Sequence, residues 1–246
     1  MSTNPVRPSC ARPHSCSLDV RLTAMSRSPL TRDLGPEEHL DLDGHLTAWS
    51  WAEGDPVFLA GEEVAGSYLV VSGRVRVTRD TIDGKEITVD IAAPGDVIGP
   101  LDIRASEAVD SAWAMETTCA LHLPAEALAE VVEKHPKLAL AIIRMQQDRL
   151  AQSRERDIAQ ATKTVEQRVA KVLRRLNGKL GQLQADGSSL LQVRLRRDDI
   201  AGMAGTTLES ASRAMSKMKK SGIIDSGREW VAIADPDALD TLIGEE

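Results

Sequence analysis

The chain has 246 residues, enough for one large domain or two smaller ones, and 42% hydrophobic residues, so its cores must be mostly aliphatic because aromatic side chains are few. Its net charge of −7 argues against a nucleic-acid partner only on average, because residues 163–246 carry 14 Lys plus Arg against 12 Asp plus Glu and the acidity lies in the rest. No apolar run reaches the roughly 18 residues of a membrane span, and no secretory core opens the chain, so a cytoplasmic protein without membrane contact is expected; three cysteines, an odd number, argue against a disulfide framework.

The first 33 residues read as a Pro- and Ser-containing arm carrying Cys10, His14 and Cys16, followed by a short amphipathic helix from Leu18 to Met25. Gly35-Pro36-Glu37-Glu38 opens another helix, with proline in its first turn. Residues 34–123 then change period. Gly61, Gly73, Gly84 and Gly95 recur every eleven or twelve residues, with alternating runs such as Arg74–Val77 and Glu86–Ile91 between them. Short strands with evenly spaced turns predict a small antiparallel barrel or jelly roll. In residues 124–162, Pro124 and Pro136 each start a helix. The second, from Lys137 to about Gln160, places Leu138, Ala141, Ile142, Met145 and Leu150 near one stripe suited to homodimerisation. Beyond Leu150 the stripe gives way to the charge run Ser153–Asp157, ordinarily a solvated face. A helix from Thr164 to Leu180 leads into a last domain, residues 163–246.

That domain contains the most informative segment. From Arg196 to Gly222 two short helices flank a glycine turn, the pattern of a helix-turn-helix. Ile200 and Met203 form an apolar face, Gly205 suits the turn, and Thr206 is placed to cap the second helix. In that helix Leu208, Ala211, Met215 and Met218 gather on one side, leaving Glu209, Ser212, Arg213 and Lys217 on another, with Thr206 and Thr207 at its start. Arginine can fork to guanine O6 and N7, glutamate can accept from cytosine N4, and serine can serve as donor or acceptor, so double-stranded DNA is the expected partner. Thr206-x-x-Glu209 also reads as a capping box, which would explain Glu209 but neither Ser212 nor Arg213. After Gly222, strand, turn and strand suggest a wing. The overall expectation is an α+β chain: barrel sensor, long dimerisation helix, winged helix-turn-helix. Nucleophile elbow, phosphate loop and paired-histidine metal motif are all missing, so no enzyme is expected.

The string Asp198–Ile224 resembles the DNA-binding domain of the CRP/FNR family of bacterial transcription regulators. The Glu209-x-x-Ser212-Arg213 pattern is similar to the FNR branch, and Leu208 stands where the cyclic-AMP-responsive branch has arginine. The resemblance covers Pro36 to about Leu242 and implies a cytoplasmic homodimer reading an inverted repeat like TTGAT and ATCAA, half-sites about one helical turn apart, with RNA polymerase as a further partner. Barrels of this family that bind cyclic AMP hold the sugar with a glutamate and the phosphate with an arginine. The matching positions here are Pro100 and Asp110, so cyclic AMP is not expected to bind. The other family input is an iron–sulfur cluster, of the 4Fe-4S type, held by arm and barrel cysteines. The matching set here is Cys10, Cys16 and Cys119, with His14 as the nearest fourth donor and Asp19 a weaker one. The residues themselves also admit a zinc site, a thiol redox switch or a small ligand as the input, Cys119 as a plain core residue, and, in another class, an interaction module without DNA readout.

Overall fold

The predicted glycine punctuation is present in the computed structural model, which describes residues 11–102, 104 and 106–244. Gly73, Gly84 and Gly95 take φ of 78°, 72° and 96°, a region that side chains disfavour, and each turns the chain between strands. The elements begin with β1 (Arg12–Pro13), α1 (Leu18–Arg27), α2 (Pro36–Asp43), β2 (Thr47–Trp51), β3 (Pro56–Phe58) and β4 (Glu63–Val64). They continue through β5 (Gly66–Ser72), β6 (Val75–Asp80), β7 (Glu86–Ala92), β8 (Val97–Ile98), β9 (Ser106–Glu107), β10 (Ser111–Ala114) and β11 (Thr118–Pro124). Two helices follow, α3 (Ala125–Lys134) and α4 (Pro136–Thr162). The last part comprises α5 (Val165–Leu180), β12 (Gly181–Leu183), β13 (Ser189–Leu191), α6 (Arg197–Met203), α7 (Leu208–Lys220), β14 (Ile224–Gly227), β15 (Trp230–Ile233) and α8 (Pro236–Ile243).

Strand orders β1-β2-β11-β5-β8 and β3-β10-β6-β7 make the two sheets of a jelly roll. Between them lies a core of Trp51, Phe58, Val70, Val75, Ala112 and Ala120. Because side chains alternate along a strand, the neighbouring residues Leu69, Leu121 and Leu123 face the other way, where Met25, Leu42, Leu128, Leu138 and Ala141 from the helices cover them. The predicted stripe on α4 is therefore corrected. Leu138 and Ala141 are buried in this cluster and Ile142 and Met145 pack against it, so this face serves the protomer's own core. Of the predicted set only Leu150 is exposed. The uncovered large apolar residues on α4 are Leu140, Ile143, Leu150 and Ile158, each more than half exposed.

By packing, the chain forms two units: one runs up to Asp80 and includes Ala92–Asp148, and the other joins Thr81–Ile91 to the chain from Arg149. In the second, α5 starts in a capping box in which Thr164 and Gln167 satisfy each other's backbone amides. Its inner face, Val169, Leu173 and Leu176, meets Met215 and Met218 of α7, Ile200 of α6 and Leu239 of α8 in a fully buried core. The sheet β12-β13-β15-β14 supplies Ile224 and Ile233 to this unit and contains the predicted wing hairpin. Residues 81–91, expected within the barrel domain, group with this unit because β7 docks on α6. The Thr88 hydroxyl donates to Asp199 Oδ1 at 2.8 Å, and Gly202 faces the Thr88 backbone so closely that a Cβ there would come within 2.7 Å of the Thr88 carbonyl oxygen.

Candidate functional site

Two groups of predicted site residues come together, one in each unit. In the second unit, α6 and α7 form the expected helix-turn-helix, with Gly205 at φ 59° in the turn. The turn leaves the carbonyls of Ala204 and Gly205 outside any helix, and two side chains take them up. Arg168 Nε donates to Ala204 O at 3.0 Å and Gln160 Nε2 reaches Ala204 O at 3.3 Å and Gly205 O at 3.4 Å. The start of α6 is held by Asp199, 1% exposed, whose Oδ2 accepts from the Arg196 amide at 3.0 Å.

The cap of α7 lies one residue later than predicted. Thr207, not Thr206, is the N-cap, its hydroxyl accepting from the Ser210 amide at 3.2 Å. This removes Glu209 from a capping box and leaves it exposed on the helix. Thr206 is half-buried, its amide donating to Ala201 O in the turn. Leu208, expected on the buried face, is 46% exposed, and Ala214 takes its place beside Ala211, Met215 and Met218. The outer face carries exposed Glu209, Arg213, Ser216 and Lys217 with half-buried Ser212, and Ser212, Arg213, Ser216, Lys217 and Lys220 line a shallow groove. Arg213 makes one long contact, from Nη2 to Ser210 Oγ at 3.5 Å, so its guanidinium is available to a ligand. Lys217 is paired with Glu166 at 2.5 Å, the lysine side chain exposed and the glutamate half-buried, so the ammonium remains open to a DNA phosphate. Ser216 was missed in the sequence; it stands one turn past Ser212, so the spacing of the reading face contained the signal.

In the first unit, β1 adds the arm to the sheet as an edge strand, with Arg12 opposite Ser50, Pro13 opposite Trp49, and the His14 amide donating to Ala48 O at 3.0 Å. Ser50 is also opposite Cys119 on its other side, at a register irregularity between β11 and β5. This geometry gathers exposed His14, half-buried Cys16 and buried Cys119, whose ligand atoms all lie within 4.8 Å of one another. Burial pushes the Cys119 thiol up to about 12, the Cys16 thiol beside it adding to the effect. A bound cation would reverse that preference, because a coordinating thiol loses its proton outright. Asp19 is exposed on α1 and outside the cluster, and Cys10 lies outside the described residues.

Two thiols and an imidazole are competent metal donors, and of the nominated Cys10, His14, Cys16 and Cys119 the fold brings the last three together. A 4Fe-4S cluster, the type the resemblance implies, binds one donor to each iron and so spreads its donor atoms to roughly 6 Å, further apart than these three. At the cyclic-nucleotide position, Asp110 accepts from Arg79 Nε at 2.7 Å and the neighbouring Ser111 hydroxyl accepts from the Ala60 amide at 2.9 Å. A carboxylate already paired with an arginine offers no cation to a phosphate.

The comparisons with known proteins agree with both halves. The Crp-like helix-turn-helix domain matches residues 167–242 and the cyclic nucleotide-binding domain matches residues 48–135. A barrel of that kind coupled to a helix-turn-helix defines a DNA-binding transcription regulator and not an enzyme. Electron transport regulator A of Shewanella oneidensis is 27% identical over 192 residues, covering 78% of this chain and 76% of that protein. The Fumarate and nitrate reduction regulatory protein of Escherichia coli is 27% identical over 194 residues, with coverage of 78% and 76%. Among solved structures, FixK2 from Bradyrhizobium japonicum shares the fold with a TM-score of 0.70 at 24% identity, covering 80% of this chain and 96% of that one. The chain belongs to the CRP/FNR family of transcription regulators. None of its helices is long and apolar enough to cross a membrane, among the described residues.

Proposed function

We propose that the protein is a cytoplasmic homodimeric regulator that reads an inverted repeat of the TTGAT type through α7 and takes its signal at the His14–Cys16–Cys119 cluster. The reading rests above all on α7, whose buried side is fully used by the core while Glu209, Ser212, Arg213 and Ser216 stay on an outer face with hydrogen-bonding groups matched to base edges. Dimerisation falls to the uncovered face of α4, Leu140, Ile143, Leu150 and Ile158, which follows a near-heptad spacing. RNA polymerase is the partner through which such a regulator would act on transcription. Selecting bound sequences from random duplexes with the full chain is expected to return a palindrome with half-sites about one helical turn apart. Recovery of no common sequence, or of a single unpaired half-site, would remove the reading.

The signal input is the finer part of the proposal. The family resemblance implies an iron–sulfur cluster there and the FNR-type relatives support that input, but a 4Fe-4S cluster would have to push these donors apart. The three side chains bring the arm beside β11, so an event that breaks the His14–Cys16–Cys119 grouping is expected to loosen the arm, which its backbone pairing with β2 still holds. Cyclic AMP and cyclic GMP are not expected to be the input. Isothermal calorimetry should show no saturable heat with either, because Asp110 is matched to Arg79 and Pro100 offers no carboxylate to a ribose. Micromolar binding would overturn this reading of the barrel.

A further inference from the structure

We infer that His14, Cys16 and Cys119 hold a single zinc-type divalent ion, in place of the multi-iron cluster that the family resemblance implies. The meaning of this site as an input rests on the proposed function, but its existence rests on geometry alone. Thiolate and imidazole are the donors such an ion selects. A tetrahedral zinc, with bonds of about 2.3 Å to sulfur and 2.0 to 2.1 Å to nitrogen, holds its donor atoms roughly 3.4 to 3.8 Å apart. The three donors here already lie within 4.8 Å of one another, so closing on one ion takes side-chain shifts of about 1 Å, whereas accommodating a cluster requires pushing them apart.

The backbone carries the donors on anchored elements. His14 is fixed by the ladder of β1 on β2, continued by its own amide bond to Ala48 O. Cys16 immediately precedes Ser17, the N-cap of α1, and α1 is tied down through Ala24 and Met25, both buried. Cys119 sits where the register of β11 against β5 shifts, a place where a bulge re-aims a side chain. Two segments distant in sequence, the arm with His14 and Cys16 and the strand β11 with Cys119, thus converge on one point at the edge of the barrel sheet, and the ion would staple the arm to it. The three described donors leave the fourth position of a tetrahedral ion to water or an external ligand.

The test uses the full chain, produced with zinc and iron both supplied and purified without oxygen or chelators. Elemental analysis is expected to find about one zinc ion per protomer, no acid-labile sulfide and no brown colour. Cobalt(II) replacing zinc should give the intense visible bands of a tetrahedral ion and a thiolate charge-transfer band in the near ultraviolet. In chelator competition, Cys16→Ser and His14→Ala, at a half-buried and an exposed position, should each weaken zinc binding at least about tenfold. These two variants carry the test because Cys119 is buried and Cys119→Ser can disturb folding. Several irons per protomer with matching sulfide, a metal-free chain, a Cys16–Cys119 disulfide, or zinc retained equally by both variants would each overturn the inference. Parallel DNA-binding assays separate the two proposals. Zinc held by a chain that recognises no DNA sequence preserves the site and removes the regulator reading, and sequence-specific binding by a chain with no zinc site does the reverse.

Discussion

Arg213→Ala is expected to cost about 1 to 3 kcal/mol of binding free energy on the selected inverted repeat and to relax the choice at one guanine per half-site. The side chain projects from the exposed face of α7 and, among the described residues, its hydrogen bond is the long one to Ser210, so its removal leaves no buried group unpaired. Thermal stability should therefore stay within about 0.5 kcal/mol of the parent, which separates lost recognition from lost folding. Lys217→Ala supplies the contrast. A lysine that meets phosphate weakens all sequences alike and lowers the salt dependence, whereas a base-reading arginine changes the ranking of sequences. Competition between repeats altered at single positions checks this directly. If Arg213→Ala weakens every sequence equally, Arg213 meets phosphate and the assignment of base reading to it is wrong.

Ile143→Glu and Leu150→Glu are each expected to convert the dimer to monomer at micromolar concentration and to lower affinity for the full repeat by at least about a hundredfold, since each monomer then meets one half-site without its partner. Both side chains are more than half exposed in the single chain, and a carboxylate placed in a close-packed helix seam loses its water without gaining a partner. Leu138→Ala should behave differently. Leu138 is 1% exposed within the core shared by α1, α3 and β11, so truncation should cost about 2 to 5 kcal/mol of stability while leaving the association state unchanged. Sedimentation equilibrium and urea titration distinguish the two effects. A dimer that survives Leu150→Glu would place the interface elsewhere.

The two faces of α4 show what was legible in the sequence and what was not. Between Leu138 and Met145 apolar residues occupy both sides of the helix, so periodicity announces a helix with much to bury but does not say which side meets the barrel; that is decided by strands distant in the chain. The helix-turn-helix was legible because its signals are local: a glycine turn, a cap and a 3.6-residue period all within 27 residues. Even there, adjacent Thr206 and Thr207 are equivalent as caps to a reader of sequence, and only the backbone chooses between them. Choosing Thr207 brings Leu208 out of the core and frees Glu209. The cysteines and histidine could be nominated by residue type, but their convergence depends on the arm pairing with β2 and on β11 lying next to it, a non-local register that no spacing encodes. The attachment of residues 81–91 to α6 through Thr88 and Asp199 was invisible for the same reason.

Gln160, which binds the turn carbonyls between α6 and α7, lies on α4 only two residues beyond Ile158, the last member of the uncovered apolar face. Along the helix axis that is about 3 Å, too little for a flexible linker to intervene. In the proposed dimer, where the Leu150–Ile158 part of α4 meets its partner, the separation of the two α7 helices is expected to follow how the two α4 helices cross there, and the chain would act as a caliper whose jaws are set by its hinge pin. A palindrome whose halves are moved apart by a few base pairs, leaving every base contact available, lies outside its span.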